Sequence, residues 1–197
     1  MKYGYVKITL PGGCELGARP IDLHLKAFEK LGVTIKEHYG YYECLCEKVV
    51  GNDIYLDFPS VGATENIMLL GCKCVGKTVI HNAAKEPEII DLQNFMNSMG
   101  ADIKGCGTDT IEIRGVKKLS GTEYSIMPDR IVSATYLIAA AITNSEIEII
   151  NTCTEDLLSV ISVLNRCGFQ MQYEKNKIRI YKNDKIKAVD LIRTMPY

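Results

Sequence analysis

Ala27-Phe28-Glu29-Lys30-Leu31-Gly32-Val33-Thr34-Ile35 returns twice in altered form. The copies are Phe95-Met96-Asn97-Ser98-Met99-Gly100-Ala101-Asp102-Ile103 and Val163-Leu164-Asn165-Arg166-Cys167-Gly168-Phe169-Gln170-Met171. Gly32, Gly100 and Gly168 stand 68 and 68 residues apart. Each copy reads as a helix stopped by a glycine just past its last turn, where a left-handed residue without Cβ is favoured. Each then enters a strand with apolar residues at every second position.

Working outward, other pieces recur at the same interval. Gly62 to Cys74 and Asp129 to Ile142 are apolar segments of helical length. Short strands follow them, Thr78-Val79-Ile80-His81-Asn82 and Glu146-Ile147-Glu148-Ile149-Ile150-Asn151, with the asparagines 69 apart. Asp109-Thr110-Ile111-Glu112-Ile113 and Lys177-Ile178-Arg179-Ile180-Tyr181 supply further strands. A helix-strands-helix-strand unit therefore repeats about three times, roughly over 1-60, 61-128 and 129-197. Alternating helices and strands give an α/β or α+β class. A pseudo-threefold lobe with helices inside and sheets outside suits the strongly apolar helices. Helices laid on one sheet fit the same periodicity.

The 197 residues carry a net charge of −1, so no bulk charge speaks for a nucleic-acid partner. Mean hydropathy is +0.01, that of an ordinary globular chain. The longest apolar run, Tyr136 to Ile142, is far short of the ~20 residues of a membrane span. No apolar stretch follows Met1-Lys2, and a cytoplasmic protein with reduced thiols is expected. The eight cysteines include Cys44-x-Cys46 and Cys72-x-Cys74, but no histidine is spaced to complete a zinc site. No metal and no cofactor are expected. His24, His38 and His81 are scattered and read as surface or structural histidines.

Four turns carry candidate chemistry. In Pro11-Gly12-Gly13-Cys14-Glu15-Leu16-Gly17-Ala18-Arg19-Pro20 a thiol stands on a glycine-rich loop five residues before an arginine. Such a loop lets a ligand approach, and a guanidinium binds phosphate and favours thiolate. Arg19-Pro20-Ile21-Asp22-Leu23 then enters a helix. Asp22 reads equally as its N-cap or as a ligand contact. Arg19 puts positive charge where the helix dipole is already positive, which points to an anion. Asp57-Phe58-Pro59-Ser60-Val61-Gly62-Ala63-Thr64 ends a strand and starts an apolar helix, with Ser60 as N-cap. Asn82-Ala83-Ala84-Lys85-Glu86-Pro87-Glu88 precedes a third helix over Ile89–Met99, its glutamates matching the dipole. Met127-Pro128-Asp129-Arg130 opens a fourth, with Asp129 as N-cap and Arg130 at the start.

These runs, with Gly107-Thr108-Asp109, closely resemble the UDP-N-acetylglucosamine 1-carboxyvinyltransferase family over nearly the whole chain. The sister family acting on shikimate 3-phosphate shares the repeats but lacks the cysteine loop. The resemblance implies an inside-out α/β barrel of the enolpyruvyl transferase type. It implies transfer of the enolpyruvyl group from phosphoenolpyruvate to the 3′-hydroxyl of UDP-N-acetylglucosamine, the first committed step of peptidoglycan synthesis. It makes Cys14 the general acid toward C3 of phosphoenolpyruvate and the residue alkylated by fosfomycin. Arg19 matches the arginine that reaches the phosphoenolpyruvate phosphate and the nucleotide. Pro20, Ile21, Asp22 and Leu23 match the uridine site, and Ser60, Val61 and Gly62 the diphosphate turn. Arg130 and Glu86 match polar positions near the boundary between two lobes, expected near 127-128. Phe58 stands where some members carry lysine.

By the same resemblance the chain lacks an upstream Lys-Asn pair, an upstream arginine and a downstream catalytic aspartate. It reads as an internal fragment holding three of six repeats, inactive alone. Two other readings remain open: a non-catalytic nucleotide-sugar-binding paralogue, and a transferase for another hydroxyl acceptor. Oligomeric state is not legible in the sequence.

Overall fold

The structure is a computed structural model that describes residues 4–9, 20–194 and 197. It is α+β, with two compact units, one running to Tyr124 and one from Ser125 to Met195. The first holds strands β1 (Tyr5–Thr9), β2 (Thr34–His38), β3 (Tyr41–Leu45), β4 (Asp53–Tyr55), β5 (Lys77–His81), β6 (Asp102–Lys104) and β7 (Thr110–Arg114). Its helices are α1 (Asp22–Lys30), α2 (Val61–Gly71) and α3 (Pro87–Ser98). The second holds α4 (Arg130–Ile142), β8 (Ile147–Ile150), a 3-10 turn (Glu155–Leu157), α5 (Leu158–Arg166), β9 (Met171–Glu174) and β10 (Lys177–Ile180). No helix among the described residues is long and apolar enough to cross a membrane.

The first unit has two sheets, one in the order β1-β3-β2 and one in the order β4-β5-β7-β6. The first is antiparallel throughout. In the second, β4 runs parallel to β5 and the other pairs are antiparallel. Register decides which face is apolar. Ile54, Ile80 and Ile111 align across three strands, as do Thr78, Ile113 and Ile103, and all six are buried. The alternate residues form an outer charged face, with Lys77 Nζ 2.8 Å from Glu112 Oε1. Helix α2 packs on α1, α3, β5 and β7. Ala63, Ile67 and Met68 on it have no exposed surface. Helices thus lie inside and sheets outside in this unit.

The second unit has one sheet, in the order β8-β10-β9. Leu137 of α4 and Ile161 of α5 pack with Ile178 and Ile180 into a separate core.

The three glycines behave as the repeat requires. Gly32, Gly100 and Gly168 have φ of 97°, 97° and 98°. After α1, Gly32 N–H bonds Glu29 C=O at 3.0 Å and Val33 N–H bonds Phe28 C=O at 3.0 Å. The same pair of bonds closes α3 and α5. These are Schellman caps, which satisfy the last helical carbonyls. Their surroundings differ. An alanine Cβ at position 100 meets nothing within 4 Å, whereas at position 32 it comes 2.9 Å from the Lys48 carbonyl. Gly100→Ala should therefore cost only the left-handed backbone term, about 1–2 kcal/mol, and Gly32→Ala more. Urea unfolding of both variants checks this, and equal losses would contradict it.

Candidate functional site

Cys14 and Arg19, with the glycine loop between them, lie outside the described residues. The site is therefore built from the two helix starts that follow. Pro20 is exposed and leads into α1. Ile21 occupies the N-cap position with no side-chain cap bond, so the reading of Asp22 as N-cap is corrected. Asp22 instead lies in the first helical turn. There its carboxylate suits the dipole and stands 3.8 Å from Lys26 Nζ. Lys26 also reaches Asp57 Oδ2 at 3.5 Å. All three side chains are exposed, so these pairs add little stability. Leu23 turns inward against the core.

The start of α2 is built more tightly. Ser60 Oγ accepts from Ala63 N–H at 3.3 Å, as an N-cap should. Ser60 N–H is taken by the Phe58 carbonyl at 2.7 Å, and Thr64 N–H by the Ser60 carbonyl at 3.0 Å. A helix start leaves its first N–H groups without helical partners. Among the described residues, no hydrogen bond is found from the N–H of Val61 or Gly62. Phe58 is exposed.

Thr64 ties this turn to the next. It is fully buried, donates to the Ser60 carbonyl at 2.8 Å and accepts from Ala84 N–H at 3.1 Å. Thr64→Val keeps the shape and removes both bonds. Leaving a buried N–H unpaired costs about 1–3 kcal/mol, and Thr64→Ser should recover most of it. An unchanged denaturation midpoint for Thr64→Val would contradict this.

Helix α1 meets α2 at His24. Asn66 Nδ2 lies 3.0 Å from His24 Nδ1 and donates to the Gly62 carbonyl at 3.1 Å. Pro20 to Leu23 and Ser60 to Gly62 are thereby brought to one end of the α1–α2 pair. In the sequence His24 reads only as one of three scattered histidines. Asn66 has only one signal, its place one turn after Gly62.

Glu86 occupies the N-cap position of α3, before Pro87. It is buried, and its Oε2 has no hydrogen-bond partner among the described residues. Burial, then the nearby Glu88, pushes the Glu65 carboxyl up. In the second unit Arg130 opens α4 behind Asp129. Asp129 Oδ1 accepts from Ile131 N–H at 2.8 Å and Val132 N–H at 3.1 Å, an N-cap as expected.

Burial makes five of the described thiols harder to ionise. Burial raises Cys106 to about 12 and Cys72 to about 11. Burial also raises Cys44, Cys74 and Cys153.

Residues 2–197 match the family model described as EPSP synthase (3-phosphoshikimate 1-carboxyvinyltransferase). The chain belongs to this family. Within the EPSP synthase family it is similar to proteins of more specific name. It is 57% identical over 190 residues to UDP-N-acetylglucosamine 1-carboxyvinyltransferase 2 of Caldanaerobacter subterraneus subsp. tengcongensis, a match covering 96% of this chain and 46% of the relative. It is 51% identical over 196 residues to UDP-N-acetylglucosamine 1-carboxyvinyltransferase of Halothermothrix orenii, covering 100% and 47%. The chain thus spans about half the length of the curated relatives it matches. Among solved structures, the enolpyruvyl transferase NikO from Streptomyces tendae superposes with a TM-score of 0.76 at 20% identity, over 92% of this chain and 44% of that one. EPSP synthase from Acinetobacter baumannii gives 0.65 at 21% identity, over 93% and 44%. These likenesses establish the enolpyruvyl transferase fold for this member of the EPSP synthase family.

Proposed function

We propose that this chain is part of an enolpyruvyl transferase acting on UDP-N-acetylglucosamine and phosphoenolpyruvate, in the cytoplasmic stage of peptidoglycan synthesis. The single observation that carries this reading is the 57% identity to a protein of that name. It is supported by the convergence of Pro20 to Leu23 with Ser60 to Gly62, held through His24 and Asn66.

In this reading the amides of Val61 and Gly62 receive the diphosphate at the positive end of α2, and Pro20 to Leu23 line the uridine. Arg19 reaches the phosphate of phosphoenolpyruvate. Cys14 delivers a proton to C3 as the acceptor hydroxyl adds at C2 and gives up its own proton to the downstream catalytic aspartate that the resemblance implies. Loss of phosphate and of a proton from C3 then restores the double bond. A thiol of near-neutral pKa can give and retake that proton. The same thiol is the site of fosfomycin alkylation. Arg130 is a further substrate-binding residue. The chain carries three repeats, roughly 1-60, 61-128 and 129-197, with a lobe boundary near 127-128, and the active polypeptide is about twice as long.

Phosphate release from phosphoenolpyruvate with UDP-N-acetylglucosamine tests this. The 197-residue chain alone should stay at background, and the polypeptide of its relatives' length should turn over. Full turnover by the chain alone would overturn the reading that half the active site lies elsewhere.

A further inference from the structure

The tautomer of His24 is settled by Asn66. The Gly62 carbonyl can only accept, so the Asn66 atom 3.1 Å away must be its amide nitrogen. That same nitrogen lies 3.0 Å from His24 Nδ1. It therefore donates to Nδ1, which must carry a lone pair and no proton. Turning the imidazole over would set a C–H against the amide N–H and lose the bond. A neutral ring with a bare Nδ1 carries its proton on Nε2. The Cε1–Nε2 edge lies against Gly62: a Cβ built there would be 3.4 Å from Cε1 and 3.7 Å from Nε2. The donor edge thus lies beside Gly62, in the first turn of α2.

We propose that Asn66 locks His24 as the neutral Nε2–H tautomer, and that His24 serves as an uncharged hydrogen-bond donor to the diphosphate held at the start of α2. This rests on the proposed function, and it adds a residue and a protonation state to that site. Burial holds the ring's pKa below the ordinary histidine value, against a weaker upward pull from Asp22. On α1, Lys26 is engaged with Asp22 and Asp57; on α2, the group facing the ring is the Asn66 amide. A neutral donor keeps its hydrogen bond as pH rises through the usual imidazole range, where an imidazolium would lose its charge.

Nitrogen-15 NMR of the ring in the 197-residue chain tests the tautomer. Nδ1 should resonate as an unprotonated nitrogen and Nε2 as a protonated one at both pH 6 and pH 8. An Nδ1–H tautomer, or an imidazolium at pH 6, would overturn the proposal. The donor role is read by titrating the chain with UDP. The Nε2–H signal should shift together with the Val61 and Gly62 amides. His24→Gln, which places an amide near Nε2, should stay within about 3-fold of the parent affinity. His24→Asn, which mimics only Nδ1, should bind about 10-fold more weakly. Amide shifts without an Nε2–H shift, or the opposite ranking of the two variants, would overturn the donor role and leave the proposed function standing. No shift at either place would overturn both.

Discussion

Sub-stoichiometric alkylation at pH 7.5 should label Cys14 ahead of the other seven thiols. The thiolate is the nucleophile. An ordinary thiol of pKa about 8.5 is roughly a tenth ionised at that pH. Cys106, raised to about 12, is ionised to only about three parts in 100,000. Its greater basicity returns part of the difference, since nucleophilicity rises with pKa, leaving a net factor of roughly 100. Cys72, at about 11, falls between, and burial slows both further. Cys14 stands among glycines five residues before Arg19, and in the proposed reading that guanidinium favours the thiolate. Peptide mass spectrometry reads the outcome, and preferential labelling of Cys44 or Cys106 would count against it.

Ile67→Ala should remove about 3 kcal/mol of stability. Ile67 has no exposed surface and sits on α2, which packs on α1, α3 and two strands. Truncating a large aliphatic side chain there loses its transfer free energy and leaves a cavity that three helices and a sheet cannot close, a loss of ~2–5 kcal/mol. The same helix presents Ser60, Val61 and Gly62, so nucleotide affinity should fall with stability. Urea unfolding measures the first effect. A loss under about 1 kcal/mol would show that α2 is not the centre of this core.

Much of the fold was legible where a local rule leaves little choice. Gly32, Gly100 and Gly168 had to be left-handed to close their helices, and they are. Ser60 and Asp129 had to be caps, and both are. The paired asparagines also share a conformation, with φ of 56° at Asn82 and 55° at Asn151. Periodicity located β7 and β10 to within a residue at each end. Helix ends were less legible: the apolar run to Cys74 stops being helical at Gly71, with Cys72 as its cap. The parallel pairing of β4 with β5 and the order β4-β5-β7-β6 depend on contacts far apart in sequence, which no local pattern encodes.

The site divides in the same way. Ser60, Val61 and Gly62 are a local strand-to-helix turn, and the sequence signals it. Asp22 misled because a short acid beside a helix start suits either the cap or the first turn, and the chain places Ile21 at the cap. The pairing of His24 with Asn66 was not legible because they are 42 residues apart. Their roles exist only once α1 and α2 are packed together.

Acceptor choice by the longer polypeptide carrying this chain tests the central claim most directly. Phosphate release from phosphoenolpyruvate should appear with UDP-N-acetylglucosamine, not appear with shikimate 3-phosphate, and vanish in Cys14→Ala. Release driven by shikimate 3-phosphate, or undiminished release from the Cys14→Ala variant, would contradict the account.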